Sequence, residues 1–158
     1  MPKLIITTAV LLSLIGSLNA ADKAKSPNQI LDGKAAVSSS GSGSFYNGSG
    51  SYAGRTSGMG RSTNIYNGQG SLGGRIDRSK TNATIYNGNG SFAGRASTSG
   101  NSTSFFNSNG SYSGRSTTSG KSTQFYDGRG SYSGRATTSG NTTNFYDSSG
   151  KMVGRKSK

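Results

Sequence analysis

An all-β repeat fold is what this 158-residue chain predicts, and three observations carry the prediction. A phrase of twenty residues recurs with starts at Phe45, Ile65, Ile85, Phe105, Phe125 and Phe145, the sixth copy being shorter. All the aromatic residues fall in three columns of that phrase. Between the columns stand Asn-Gly and Ser-Gly pairs, the residues of tight turns. A period of this length marks a repeat architecture.

The first column is the set of starts, and the second holds Tyr46, Tyr66, Tyr86, Phe106, Tyr126 and Tyr146. Six residues later come Tyr52, Leu72, Phe92, Tyr112, Tyr132 and Met152. The mature chain is otherwise dominated by Gly, Ser, Thr and Asn, a composition that alone suggests a flexible linker. A disordered spacer buries nothing and has no register to keep, so it has no reason to confine its rings in this way. A packed repeat does.

The strands and turns follow from the punctuation. Asn or Asp stands at the third position and an unbroken glycine at the sixth (Gly50, Gly70, Gly90, Gly110, Gly130, Gly150). Asn-Gly between β-favouring residues signals a hairpin, because both residues tolerate the positive φ that such turns use. A second turn is expected at Ser99-Gly100, Ser119-Gly120 and Ser139-Gly140. Each repeat thus reads strand, turn, strand, turn, with strands such as "STQFY" at 122–126 and "SYSGRAT" at 131–137. Strict alternation puts Tyr132 and Gly134 on one face and Ser133 and Arg135 on the other. The glycine column of Gly54, Gly74, Gly94, Gly114, Gly134 and Gly154 would then leave room for a ring from a neighbouring strand. No helix of useful length is expected.

Six two-strand repeats can form an antiparallel meander, rolled into a sheet or partial barrel, or a stacked solenoid. The arginine column favours the meander: Arg55, Arg75, Arg95, Arg115, Arg135 and Arg155 recur in every copy. In a solenoid these guanidiniums would stack about 4.8 Å apart, the strand spacing, unless a bound polyanion neutralised them. A meander places them on alternate strands, roughly twice as far apart, where each can lie over an aromatic ring.

Ahead of the repeats, Lys3, the apolar run 4–15 and "SLNA" have the three parts of a secretory signal peptide, with cleavage expected after Ala20. The apolar run is shorter than the about 20 residues that a spanning helix needs, so no transmembrane segment is expected in the mature chain. Residues 21–44 lack the repeat and read as a flexible linker leading into a β-repeat domain at 45–158. The chain contains no cysteine, which excludes disulfides and an acylated lipoprotein cysteine and leans towards a bacterial periplasm, cell surface or medium.

Removing residues 1–20 takes away Lys3 and no acid, so the formal charge of +13 becomes +12. All five acids are aspartates: Asp22, Asp32, Asp77, Asp127 and Asp147. Such a balance favours polyanionic partners: lipopolysaccharide, acidic polysaccharide or nucleic acid. Histidine, cysteine and glutamate are all absent, which removes the usual general bases, the thiolate nucleophile and most zinc or copper ligand sets. Asp127 and Asp147 share their column with asparagines and read as turn acceptors rather than a catalytic pair. "GQGSLG" at 68–73 fits the letters of a dinucleotide fingerprint but opens no helix. No enzyme activity, metal or cofactor is expected.

The pattern Gly-x-Thr-x-x-Phe-Tyr-Asp-x-x-Gly-Lys at 140–151, repeated with variation at 120–131, resembles the tyrosine-aspartate (YD, or Rhs-type) repeats of bacterial surface and toxin-delivery proteins. The resemblance covers roughly residues 45–155 and implies β-hairpin repeats, which in that family join into a long spiralling sheet. Asn replaces the signature Asp in four of the six copies, and six copies are few for an enclosing shell.

One constellation is left with chemistry in it. The six arginines interleave with Tyr46, Tyr66, Tyr86, Tyr126 and Tyr146, where guanidiniums can meet phosphate or carboxylate while rings stack on sugars or bases. The expectation is a non-catalytic, exported cationic protein of the bacterial envelope that contacts anionic glycan or lipid headgroups through these residues. Arginines that only deter sheet-to-sheet aggregation are the plainer reading. The alternative function is a self-assembling matrix or fibre subunit recruited through unpaired edge strands at the first and last repeats.

Overall fold

The computed structural model describes residues 5–7, 36–38 and 42–158, and its repeats form a closed antiparallel barrel of twelve strands. Two short strands precede the barrel: β1 (Ile5–Thr7) pairs antiparallel with β2 (Ala36–Ser38), Ile6 opposite Val37. Apart from these residues and 42–44, the expected signal peptide and linker lie outside the described residues.

Each repeat contributes one hairpin. β3 (Gly43–Asn47) pairs with β4 (Tyr52–Met59), β5 (Ser62–Asn67) with β6 (Leu72–Arg78), and β7 (Asn82–Asn87) with β8 (Phe92–Ser99). β9 (Ser102–Asn107) pairs with β10 (Tyr112–Ser119), β11 (Ser122–Asp127) with β12 (Tyr132–Ser139), and β13 (Thr142–Asp147) with β14 (Met152–Ser157). Every strand also pairs with the next along the chain, as a meander requires. Closure is complete rather than partial: β14 pairs with β3, Arg155 opposite Tyr46 and Lys156 opposite Phe45. No strand of the barrel is left as an edge, and the solenoid arrangement is excluded because consecutive strands run antiparallel.

The turns explain the punctuation, with one correction. In the first repeat the Asn47 N–H donates to the Ser51 carbonyl and the Gly50 N–H to the Asn47 carbonyl, both at 2.9 Å. The positive φ falls on Gly50 (83°) and its counterparts at the sixth position, not on the Asn-Gly pair. The asparagine works through its side chain instead: Asn47 Oδ1 accepts the N–H groups of Ser49 at 3.1 Å and Ser51 at 2.8 Å. Asp127 Oδ1 accepts those of Arg129 and Ser131 at 2.9 and 2.8 Å. Asn and Asp therefore interchange in this column because either supplies the same acceptor. The second turn is tighter, with Ser119 opposite Ser122 around Gly120-Lys121 and Gly120 at φ 55°.

Strict alternation fails once in every hairpin. Phe125 faces Gly134 and Tyr126 faces Tyr132, which leaves Ser133 as an extra residue, a β-bulge. The same shift occurs in the other five hairpins. Tyr132 and Arg135 are consequently exposed together while Gly134 is buried, so the faces expected from alternation are reversed for Tyr132 and Ser133. The glycine column does not make room for a ring. Gly134 adopts φ 141°, and a Cβ there would collide with the Tyr146 carbonyl oxygen of the neighbouring strand.

The first-column residues fill the lumen. Phe105, Phe125 and Phe145 are fully buried with Ile85, and Phe45 nearly so, whereas Ile65 is half-buried. Phe45, Phe125 and Phe145 pack with Ala53 and Ala136, and Val153 closes against them. Burying such a side chain stabilises the fold by about 1.5–3 kcal/mol. The small residues of the second strands, among them Ala96, Ser116 and Ala136, leave space for these rings.

Candidate functional site

The arginine column lies on the outer surface, each guanidinium over a ring of the next strand. Arg55 Cζ stands 4.2 Å from the centre of the Tyr66 ring, Arg75 4.7 Å from Tyr86 and Arg95 4.4 Å from Phe106. Arg115 lies 4.8 Å from Tyr126, Arg135 4.9 Å from Tyr146, and Arg155 5.0 Å from Tyr46 across the seam. Register causes this arrangement. Arg135 is directly opposite Tyr146 in the β12–β13 ladder, and the bulge has already turned Arg135 outward. Each contact stabilises by about 0.5–1 kcal/mol at an exposed site and holds the guanidinium against the outer wall over the ring.

On the other side of each second-column ring stands a third-column residue. Tyr46 and Tyr52 meet edge to face at 6.1 Å, Tyr126 and Tyr132 at 6.1 Å, and Phe106 and Tyr112 at 6.0 Å. Around the barrel this gives a girdle of repeated units, arginine then ring then ring or aliphatic chain, near the asparagine-bearing turns. All six arginines and all five tyrosines singled out in the sequence belong to it.

The ring column offering most area to a ligand is nevertheless the third. Tyr52, Leu72, Phe92, Tyr112, Tyr132 and Met152 are 39–47% exposed, whereas the second-column rings are half-buried beneath arginine. Strict alternation hides these residues from a reader of the sequence, since it gives them the face of the buried glycine. The signal that would have found them is the recurring small residue followed by glycine, as at Ser133-Gly134, which is the sequence of a bulge.

Few acids oppose the girdle. Asp77 Oδ2 lies 3.1 Å from Arg75 Nη2, the one ion pair among the described residues, and Asp77 Oδ1 accepts the Ser62 hydroxyl at 2.7 Å. Asp127 and Asp147 are occupied as turn acceptors.

Two cations occupy a different place. Arg78 and Lys156 point into the lumen, from positions that hold Thr, Gly, Ala, Ser or Ile in most other repeats. Lys156 is 2% exposed, its Nζ 5.6 Å from the centre of the Phe45 ring. Burial first, then the charges of Lys158 and Arg78, push its ammonium down to about 8. Burial also lowers the Arg78 guanidinium. Compared with known families and curated proteins, the chain matches no family model and no curated sequence.

Proposed function

We propose that the protein is an exported, non-catalytic element of the bacterial envelope that binds anionic glycans or lipid headgroups through the outer girdle. The observation that carries this reading is the outward placement of six arginines over rings with a single carboxylate partner among the described residues. Guanidiniums meet phosphate or carboxylate in paired hydrogen bonds. The third-column rings next to them offer faces on which sugars can stack. Nucleic acid shares the required chemistry, and competition between polymers decides the preference.

The girdle also argues that the outer wall does not face lipid tails. A bilayer-spanning barrel carries an outward apolar band about 25 Å tall, whereas here arginine recurs on every second strand. The likeness to YD repeats enters only through hairpins and turn acceptors, since these six repeats close on themselves. Closure also weighs against fibre assembly by edge addition: β3 and β14 occupy each other's free sides.

The test is titration of the full chain with lipopolysaccharide and with a polyuronate at several salt concentrations. Affinity is expected to fall steeply with salt and to drop further when Arg55, Arg115 and Arg135 are changed together to Gln. Binding indifferent to salt and to those substitutions would refute the proposal.

A further inference from the structure

The end of the lumen bounded by the glycine-lysine and glycine-asparagine turns has a composition of its own. Paired threonines point inward there: the hydroxyls of Thr118 and Thr123 are 3.0 Å apart, as are those of Thr138 and Thr143. In such a pair one hydroxyl donates to the other, and the second keeps a hydrogen to donate elsewhere. A cavity of about 200 Å³ opens between them, with Lys121, Lys156 and Lys158 also in its wall. An apolar cavity of about 150 Å³ takes a benzene ring, so a group the size of phosphate fits.

The buried cations at this end are short of acceptors. Lys156 Nζ is buried without a hydrogen bond, although a buried ammonium ordinarily has one. Arg78 gives one nitrogen to Thr63 Oγ1 at 2.6 Å, and its Nε and Nη2 are buried and unbonded. No described aspartate faces them: Asp127 and Asp147 serve the turns at the opposite end, and Asp77 is held by Arg75 and Ser62. The strand carrying Lys156 is flanked by β13 and β3, which set Thr143 and Phe45 opposite it, neither of them ionisable. The charges that reach Lys156 are those of Lys158 and Arg78.

The first repeat is shaped around this lysine. Where the later repeats carry Thr63, Ala83, Thr103, Thr123 and Thr143, the first has Gly43, and a Cβ there would press on Lys156 Cε at 2.5 Å. A small residue on one side of the seam thus accommodates a long cation on the other.

We propose that this mouth binds a small oxyanion, a phosphate or sulfate group, between Lys156, Lys158 and Lys121, with the Thr138–Thr143 hydroxyl pair supplying one further donor. The bound group would supply the acceptors that Lys156 lacks and offset the repulsion among the cations. The site is distinct from the girdle, which lies on the outer wall towards the other turns, so either can fail without the other. The group can arrive as a free ion or as the exposed phosphate of a lipid headgroup.

Calorimetric titration of the full chain with sodium sulfate and with inorganic phosphate separates these cases from no binding. Cosedimentation with phosphatidylcholine vesicles containing phosphatidic acid supplies the lipid arm. Sulfate binding is expected to weaken about tenfold as pH rises from about 7 to about 9.5, because Lys156 then loses its proton while sulfate keeps its charge. Lys156→Met should remove both the binding and its pH dependence, Lys158→Gln should weaken it several-fold, and Arg129→Gln in a turn at the far end should leave it unchanged. Binding of the free ions identifies a soluble oxyanion as ligand, and Lys156-dependent cosedimentation without it identifies a headgroup. No binding in either arm, or binding that survives both Lys156→Met and Lys158→Gln, overturns the proposal.

Discussion

Replacing Lys156 by methionine should make the barrel more stable at neutral pH, even though it deletes a side chain that is 2% exposed. The argument is one of proton linkage. In the fold the ammonium is pushed down from 10.5 to about 8, so between these values the unfolded chain holds a proton that the folded chain lacks. Stability therefore rises with pH across that window and is at its low plateau below it. At about 1.4 kcal/mol per pH unit, the whole rise amounts to about 3 kcal/mol. Methionine has a similar length and carries no charge to desolvate, so Lys156→Met should gain up to that amount at pH 7 and lose the slope. Near pH 10.5 the two proteins should converge. Urea unfolding followed by circular dichroism, at intervals from pH 7 to 10.5, measures both curves, and the buffers must be free of phosphate and sulfate. A mutant less stable than the parent at pH 7, or a parent whose stability stays flat across the window, would refute the reasoning.

Other consequences are open to simpler measurements. Gly134→Ala forces a Cβ against the Tyr146 carbonyl at φ 141° and should cost about 1–3 kcal/mol in urea melts; an unchanged midpoint would mean that the bulge relaxes freely. Asp127→Ala removes the acceptor of two turn N–H groups and should lower stability by about 0.5–2 kcal/mol, while Asp127→Asn should be nearly neutral, as scanning calorimetry can show. Deleting residues 151–158 removes β14 and frees the sides of β3 and β13, so light scattering should report association where the intact chain stays a monomer.

Much of the barrel is written in local residues, and for that reason it can be read. A turn acceptor such as Asn47 and a positive-φ glycine such as Gly50 act within five residues of each other, so their spacing alone reveals the hairpin. The arginine over tyrosine contacts are legible for a related reason, since a twenty-residue period fixes which positions meet across strands. The bulge is harder to see, because it costs one residue and reverses the face of everything before it in the strand. In the sequence Gly134 reads as space for a ring, while its actual constraint is a carbonyl on a neighbouring strand. A partial barrel is among the arrangements the repeats allow, but complete closure and the inner cations were not legible. Whether the last strand reaches the first depends on accumulated curvature, and Lys156, or Arg78 with Lys158, depart from columns that otherwise carry no charge.

On its outer face the seam between β14 and β3 repeats the internal boundaries, Arg155 resting on Tyr46 as Arg55 rests on Tyr66. A ring whose outer joints repeat in this way has no privileged beginning. Ser157 lies opposite Ser44 at this seam, so a short linker could join the two ends of the barrel and the chain could be reopened at any of the other glycine turns. Circular permutants of the barrel should keep the same girdle, so the point at which the chain enters the ring is a matter of history rather than of folding.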